Sequence, residues 1–173
     1  MTGAVYWTVW SALLLFAARE AGRRRGYAGR SPAPWAWWAF VAGAVLCAIH
    51  IVVAMWVSHG WSHAASIAAT ARQTKAVYDL DWGGGVYVNY AFVAAWLFEA
   101  WRWRRRSPRD TGRLDIGTWT MRTFFLVIIL NGAVIFAAGT RRVAGVLLVA
   151  WLLWIWRPAS PAPGSHACSR LSR

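Results

Sequence analysis

Five stretches of the chain are apolar almost without interruption, at about 4–18, 35–57, 86–103, 119–138 and 143–156. A helix that crosses a bilayer needs ~20 mostly apolar residues, within a range of ~17–25. The second, third and fourth stretches meet that length. The first and fifth are short and need flanking residues to span. The pattern predicts an all-α membrane protein, a bundle of about five transmembrane helices, with 1–157 as a single helical domain. Four spans are the competing arrangement, with the last two stretches as a hairpin that does not cross.

The polar segment between the second and third stretches carries its own helical signal. Ser62 is a suitable N-cap. Ala64, Ile67, Ala68, Ala71, Lys75 and Tyr78 recur at three and four, leaving Ser66, Thr70, Gln73 and Thr74 on another face. A short helix lying on the outer membrane surface is expected here. Gly83, Gly84 and Gly85 then allow left-handed or closely approached backbone before the third span.

Composition sharpens the class. Of the residues, 58% are hydrophobic and 14% charged, against about 45–50% and about 25% in soluble domains. This composition argues against an ordinary soluble enzyme and excludes a chain disordered beyond its ends. The net charge of +13 comes from 19 basic and 6 acidic residues, and its placement matters more than its size. The first loop carries Arg19, Arg23, Arg24, Arg25 and Arg30. The third carries Arg102, Arg104, Arg105, Arg106, Arg109 and Arg113. The second has only Arg72 and Lys75, balanced by Asp79 and Asp81. The positive-inside rule then puts the N-terminus outside and the C-terminus in the cytoplasm. The bilayer and anionic inner-leaflet lipids are the expected partners of the basic loops, at ~1 kcal/mol per basic residue; nucleic acid is not. No Lys or Arg precedes the first stretch, so it reads as a retained helix rather than a cleaved signal. The Pro-rich tail at 158–173 is expected to be disordered and cytoplasmic. Fifteen Trp suit the membrane interface. Cys47 and Cys168 make neither a zinc motif nor a convincing disulfide.

Polar groups inside a bilayer are costly. At ~1.5 Å per residue, His50, Asn89 and Asn131 lie at similar depth in the outer half, some 6–12 Å from the outer ends of their helices. His50, Asn89, Tyr90 and Asn131, with Gln73 above them, are the candidate ligand-binding or polar-layer residues. Interhelical hydrogen bonding, at ~0.6 kcal/mol each on average, is the plainer role. Glu99 is assigned to an ion pair with Arg102 at i+3. His59 and His63 are four apart and, with Asp79 and Asp81, have the residue types for a divalent metal, although Gly60 interrupts the helix between them. Haem is disfavoured: His50 and His59 are half a turn out of phase, and no other span contains a histidine. No phosphate loop, nucleophile–base pair or metalloprotease motif is present, so no catalytic residue is assigned.

His50, His59-Gly60-Trp61-Ser62-His63, Thr70-Ala71-Arg72-Gln73-Thr74, Trp82-Gly83-Gly84-Gly85, Asn89-Tyr90 and Trp96 together resemble a stretch of uncharacterised bacterial multi-pass membrane proteins. The resemblance covers less than a third of the chain. It implies a compact helical membrane fold and no assigned activity. The expected function is a non-catalytic accessory or small-ligand-binding membrane protein, with a membrane-protein partner in the first case. The alternative is a metal- or haem-dependent redox subunit using the outer-face histidines.

Overall fold

The computed structural model describes residues 3–27, 33–105 and 116–157. The expectations for the tail at 158–173, including His166 and Cys168, and for Arg30, Arg106, Arg109 and Arg113 lie outside the described residues. Every regular element among the described residues is helical: α1 (Gly3–Tyr27), α2 (Trp35–His59), α3 (His63–Tyr78), α4 (Gly85–Arg105), α5 (Ile116–Ile129) and α6 (Thr140–Ile155). A π-helical turn, Leu130–Ile135, continues α5. The all-helical expectation holds. Two helices are long and apolar enough to cross a membrane, Trp35–His59 and Ile116–Ile135. α1 and α4 have 25 and 21 residues, with their charges gathered toward the C-terminal end of each.

The five long helices run alternately up and down. At one end, here the basic end, Glu20 of α1 meets Arg122 of α5 and Trp156 just after α6. At the other, the α3 end, Thr8 of α1 meets His50 of α2, and Tyr78 of α3 meets Asn131. Close helix approach rests on small residues. A Cβ on Gly22 would lie 2.7 Å from Ala36 Cβ, and one on Gly43 would lie 2.8 Å from the Trp96 ring. A Cβ on Gly145 would overlap the Ala133 carbonyl in the π turn. Small side chains let backbones pack this tightly.

The core is aromatic. Phe16 stacks on Phe125 at 4.4 Å and meets the edge of Trp96 at 5.7 Å. Phe92 and Trp96 both set edges against Phe125. Trp96 is fully buried, and its indole N–H donates to the Phe40 carbonyl at 3.1 Å. The burial therefore leaves no orphan donor on that ring. Large apolar side chains also face outward: Trp7 is 76% exposed, Trp38 67% and Leu147 65%, whereas Glu20, Arg23 and Arg122 are 1–3% exposed.

α3 starts where expected. Ser62 is extended and its side chain accepts the Ala65 N–H. The face turned toward the bundle is the hydroxyl one, with Ser66 and Thr74 buried. Thr70 and Thr74 hydroxyls donate to the carbonyls four residues earlier. Their polarity is thereby satisfied within the helix, and small side chains face the protein. The Gly83–Gly85 run serves close approach rather than left-handed backbone. A Cβ on Gly85 would lie 2.9 Å from the Thr70 methyl, and none of the three has positive φ.

Candidate functional site

At the α3 end the predicted polar residues go to separate partners. His50 Nδ1 lies 2.9 Å from the Val5 carbonyl and 3.2 Å from Thr8 Oγ1. A carbonyl only accepts, so Nδ1 carries the proton. Asn131 donates to the Val127 carbonyl and accepts from the Tyr78 hydroxyl at 2.8 Å. Asn89 and Gln73 are exposed. Tyr90 lies 3.4 Å from His63 Nδ1, and Tyr87 3.3 Å from His63 Nε2. Among the described residues, no hydrogen bond joins His50, Asn89 and Asn131 to one another.

The metal set is not brought together. His59 closes α2, Gly60 follows it at φ 54°, and His63 opens α3. The two histidines therefore do not share one helix face. Asp79 is the left-handed C-cap of α3, and Asp81 is exposed. Among the described residues no group of three His, Cys, Asp or Glu side chains could hold a metal ion. Cys47 is a free, buried core thiol.

The densest polar chemistry lies at the basic end. Both glutamates of the chain are there. Glu20 accepts from Arg19, from Arg122 Nη2 at 2.8 Å and from the Trp156 indole N–H at 2.7 Å. Glu99 takes Arg102 Nε at 2.6 Å, with Arg19 Nη2 at 3.9 Å from its other oxygen. Aromatic faces complete the surroundings. Arg19 lies 4.1 Å from the Phe40 centroid and 5.0 Å from that of Trp103. Arg122 lies 5.0 Å from Trp156 and 5.6 Å from Trp119. The network thus touches α1, α2, α4, α5 and the end of α6.

Burying ions costs several kcal/mol each unless they are paired and hydrogen-bonded. Here every carboxylate oxygen has a cationic partner, and the Arg19 and Arg122 guanidinium groups lie over rings. A cavity lined by Phe16, Arg19, Arg23, Phe40, Glu99, Thr118 and Arg122 offers about 10 Å³ to the centre of a water molecule. That is room for about one water, not for an organic substrate.

The sequence reading found only the Glu99–Arg102 edge of this cluster. The signal for the rest was present: Arg122 interrupts an apolar run, and Glu20 is one of only two glutamates. Arg122 in particular was a charge inside a span with no local partner to explain it. Comparisons with protein-family models, with curated proteins and with solved structures give no match.

Proposed function

We propose that this chain is a five-span integral membrane protein of a bacterial inner membrane, with a non-catalytic accessory role. The carrying observation is the inverted distribution of polarity. Buried Arg19, Glu20, Arg23 and Arg122 lie inside a bundle whose outside bears Trp7, Leu14, Trp38 and Leu147. Water would drive the opposite arrangement, and monomeric soluble proteins rarely expose large contiguous apolar surface. Lipid favours this one. At ~1.5 Å per residue, α1 and α4 are long enough for a hydrocarbon core of ~30 Å. The 16 residues of α6 rise ~24 Å, a mismatch that tilt of its neighbours or local thinning accommodates. The basic end belongs at the cytoplasmic face, with α3 on the outer surface.

The accessory reading follows from saturated chemistry. The glutamates that could act as acids or bases are locked to arginines, and the cavity beside them holds about one water. The redox alternative loses its support, because the histidines and aspartates it needs are not brought together.

Two measurements test the proposal. In a Cys47→Ala/Cys168→Ser background, Asp81→Cys is expected to react with an impermeant maleimide on intact cells, and Arg105→Cys only after permeabilisation. Release of the protein by alkaline carbonate, or the reversed labelling pattern, would refute the membrane topology. Mild-detergent purification is expected to retain a stoichiometric membrane-protein partner; isolation of the chain alone would refute the accessory role.

A further inference from the structure

The basic end carries a second arrangement of arginine and tryptophan, on its surface rather than inside. Arg104 and Arg105 are exposed and end α4. Arg104 Cζ lies 5.3 Å from the Trp37 ring of α2, and Arg105 Cζ lies 4.6 Å from the Trp101 ring. The rings are themselves held. The Trp37 indole N–H donates to the Ala100 carbonyl at 3.2 Å, and Trp37 meets the edge of Trp38 at 4.6 Å. Phe98 packs against Trp101 at 5.7 Å. Trp38, Phe98 and Trp101 are each at least half exposed. The patch therefore has an apolar aromatic floor across α2 and α4 and two cationic heads at its rim.

We propose that this α2–α4 patch is a seat for an anionic phospholipid of the inner leaflet, with the acyl chains on Trp38, Phe98 and Trp101 and the phosphate on Arg104 and Arg105. The inference rests on the membrane reading above. Charge complementarity selects the occupant. A guanidinium held by its face over a ring keeps N–H groups on its edge to engage phosphate oxygens in pairs, which an ammonium cannot do. The ring fixes the guanidinium in advance, so less side-chain freedom is lost on binding. Indole rings also favour the depth just below the headgroups. The zwitterionic lipids of the same leaflet satisfy the floor but carry an ammonium that two guanidinium groups repel.

The test is lipid retention. The chain is purified in mild detergent with an equimolar mixture of phosphatidylglycerol, cardiolipin and phosphatidylcholine, and retained lipid is quantified by mass spectrometry. The parent is expected to enrich the anionic lipids over phosphatidylcholine. Arg104→Gln/Arg105→Gln is expected to reduce that enrichment by about fivefold for each arginine lost. Arg72→Gln/Arg141→Gln removes the same charge from the α3 end and is expected to leave it unchanged. Trp37→Leu/Trp101→Leu keeps the charge and is expected to lose part of the enrichment. The proposal is overturned if the parent shows no preference, or if the two charge-removing variants lower it equally, which marks net charge alone. A chain that needs no detergent refutes the membrane reading itself. A membrane-extracted chain without the preference refutes only the lipid seat.

Discussion

Glu20 accepts from three donors on three segments of the chain, so its replacement is the sharpest test of what holds the basic end together. Glu20→Ala removes the carboxylate that Arg19, Arg122 and Trp156 share. Both arginines are 3% exposed, so water cannot take over. Removing one partner of a buried ion pair typically destabilises by ~3–5 kcal/mol, because the other charge stays buried. Arg19 retains Glu99 at 3.9 Å, which places the expected loss toward the lower half of that range. For a chain of this size each kcal/mol moves Tm by ~2–4 °C, so a drop on the order of 6–16 °C is expected. Thermal unfolding in detergent, followed by intrinsic tryptophan fluorescence, measures it. The second arm is a cycle with Arg122→Ala. Because the two side chains touch at 2.8 Å, the double variant is expected to lose less than the sum of the singles, by ~1–3 kcal/mol. A Glu20→Ala protein within ~1 kcal/mol of the parent, or strictly additive losses, would refute the idea that this network carries stability.

Three further outcomes follow from the packing. Gly145→Ala, which drives a Cβ into the Ala133 carbonyl, is expected to cost ~1–3 kcal/mol, while Gly132→Ala meets nothing within 4 Å and is expected to be neutral or stabilising by up to ~1 kcal/mol. Comparing the two melting temperatures checks it, and an equal response would contradict the tight α6–π-turn contact. Trp61 has φ 62° and a 62% exposed side chain, so Trp61→Gly is expected to raise stability in detergent by ~1 kcal/mol through relief of left-handed backbone; a lower Tm would show that the indole packs against something. Tyr78→Phe removes the hydroxyl that Asn131 accepts at 2.8 Å and is expected to cost ~0.5–1.5 kcal/mol, visible as faster amide exchange in α3, with α1 and α2 unchanged.

What the sequence determined by itself is local. Unbroken apolar runs fixed the all-helical class, because in such runs only the helix satisfies every backbone group within its own segment. Ser62 ahead of a three-four repeat located α3, since capping and periodicity act within a few residues. The Glu99–Arg102 pair was legible for the same reason, at one turn's separation. Tertiary structure decided which side chains meet across helices. Glu20 and Arg122 are 102 residues apart, and their pairing depends on how α1 and α5 are rotated about their axes. The close approaches at Gly22, Gly43 and Gly145 are likewise contacts between segments and are not marked by any pattern along one segment. Rise per residue predicts a common depth for the polar residues His50, Asn89 and Asn131, but depth fixes only one coordinate. Azimuth fixed the other: it sends His50 to the Val5 carbonyl and Asn131 to Tyr78, and leaves Asn89 exposed. The hydroxyl face of α3 turned inward because its threonines could satisfy themselves on their own helix, which made small volume, rather than polarity, the property that packing selected.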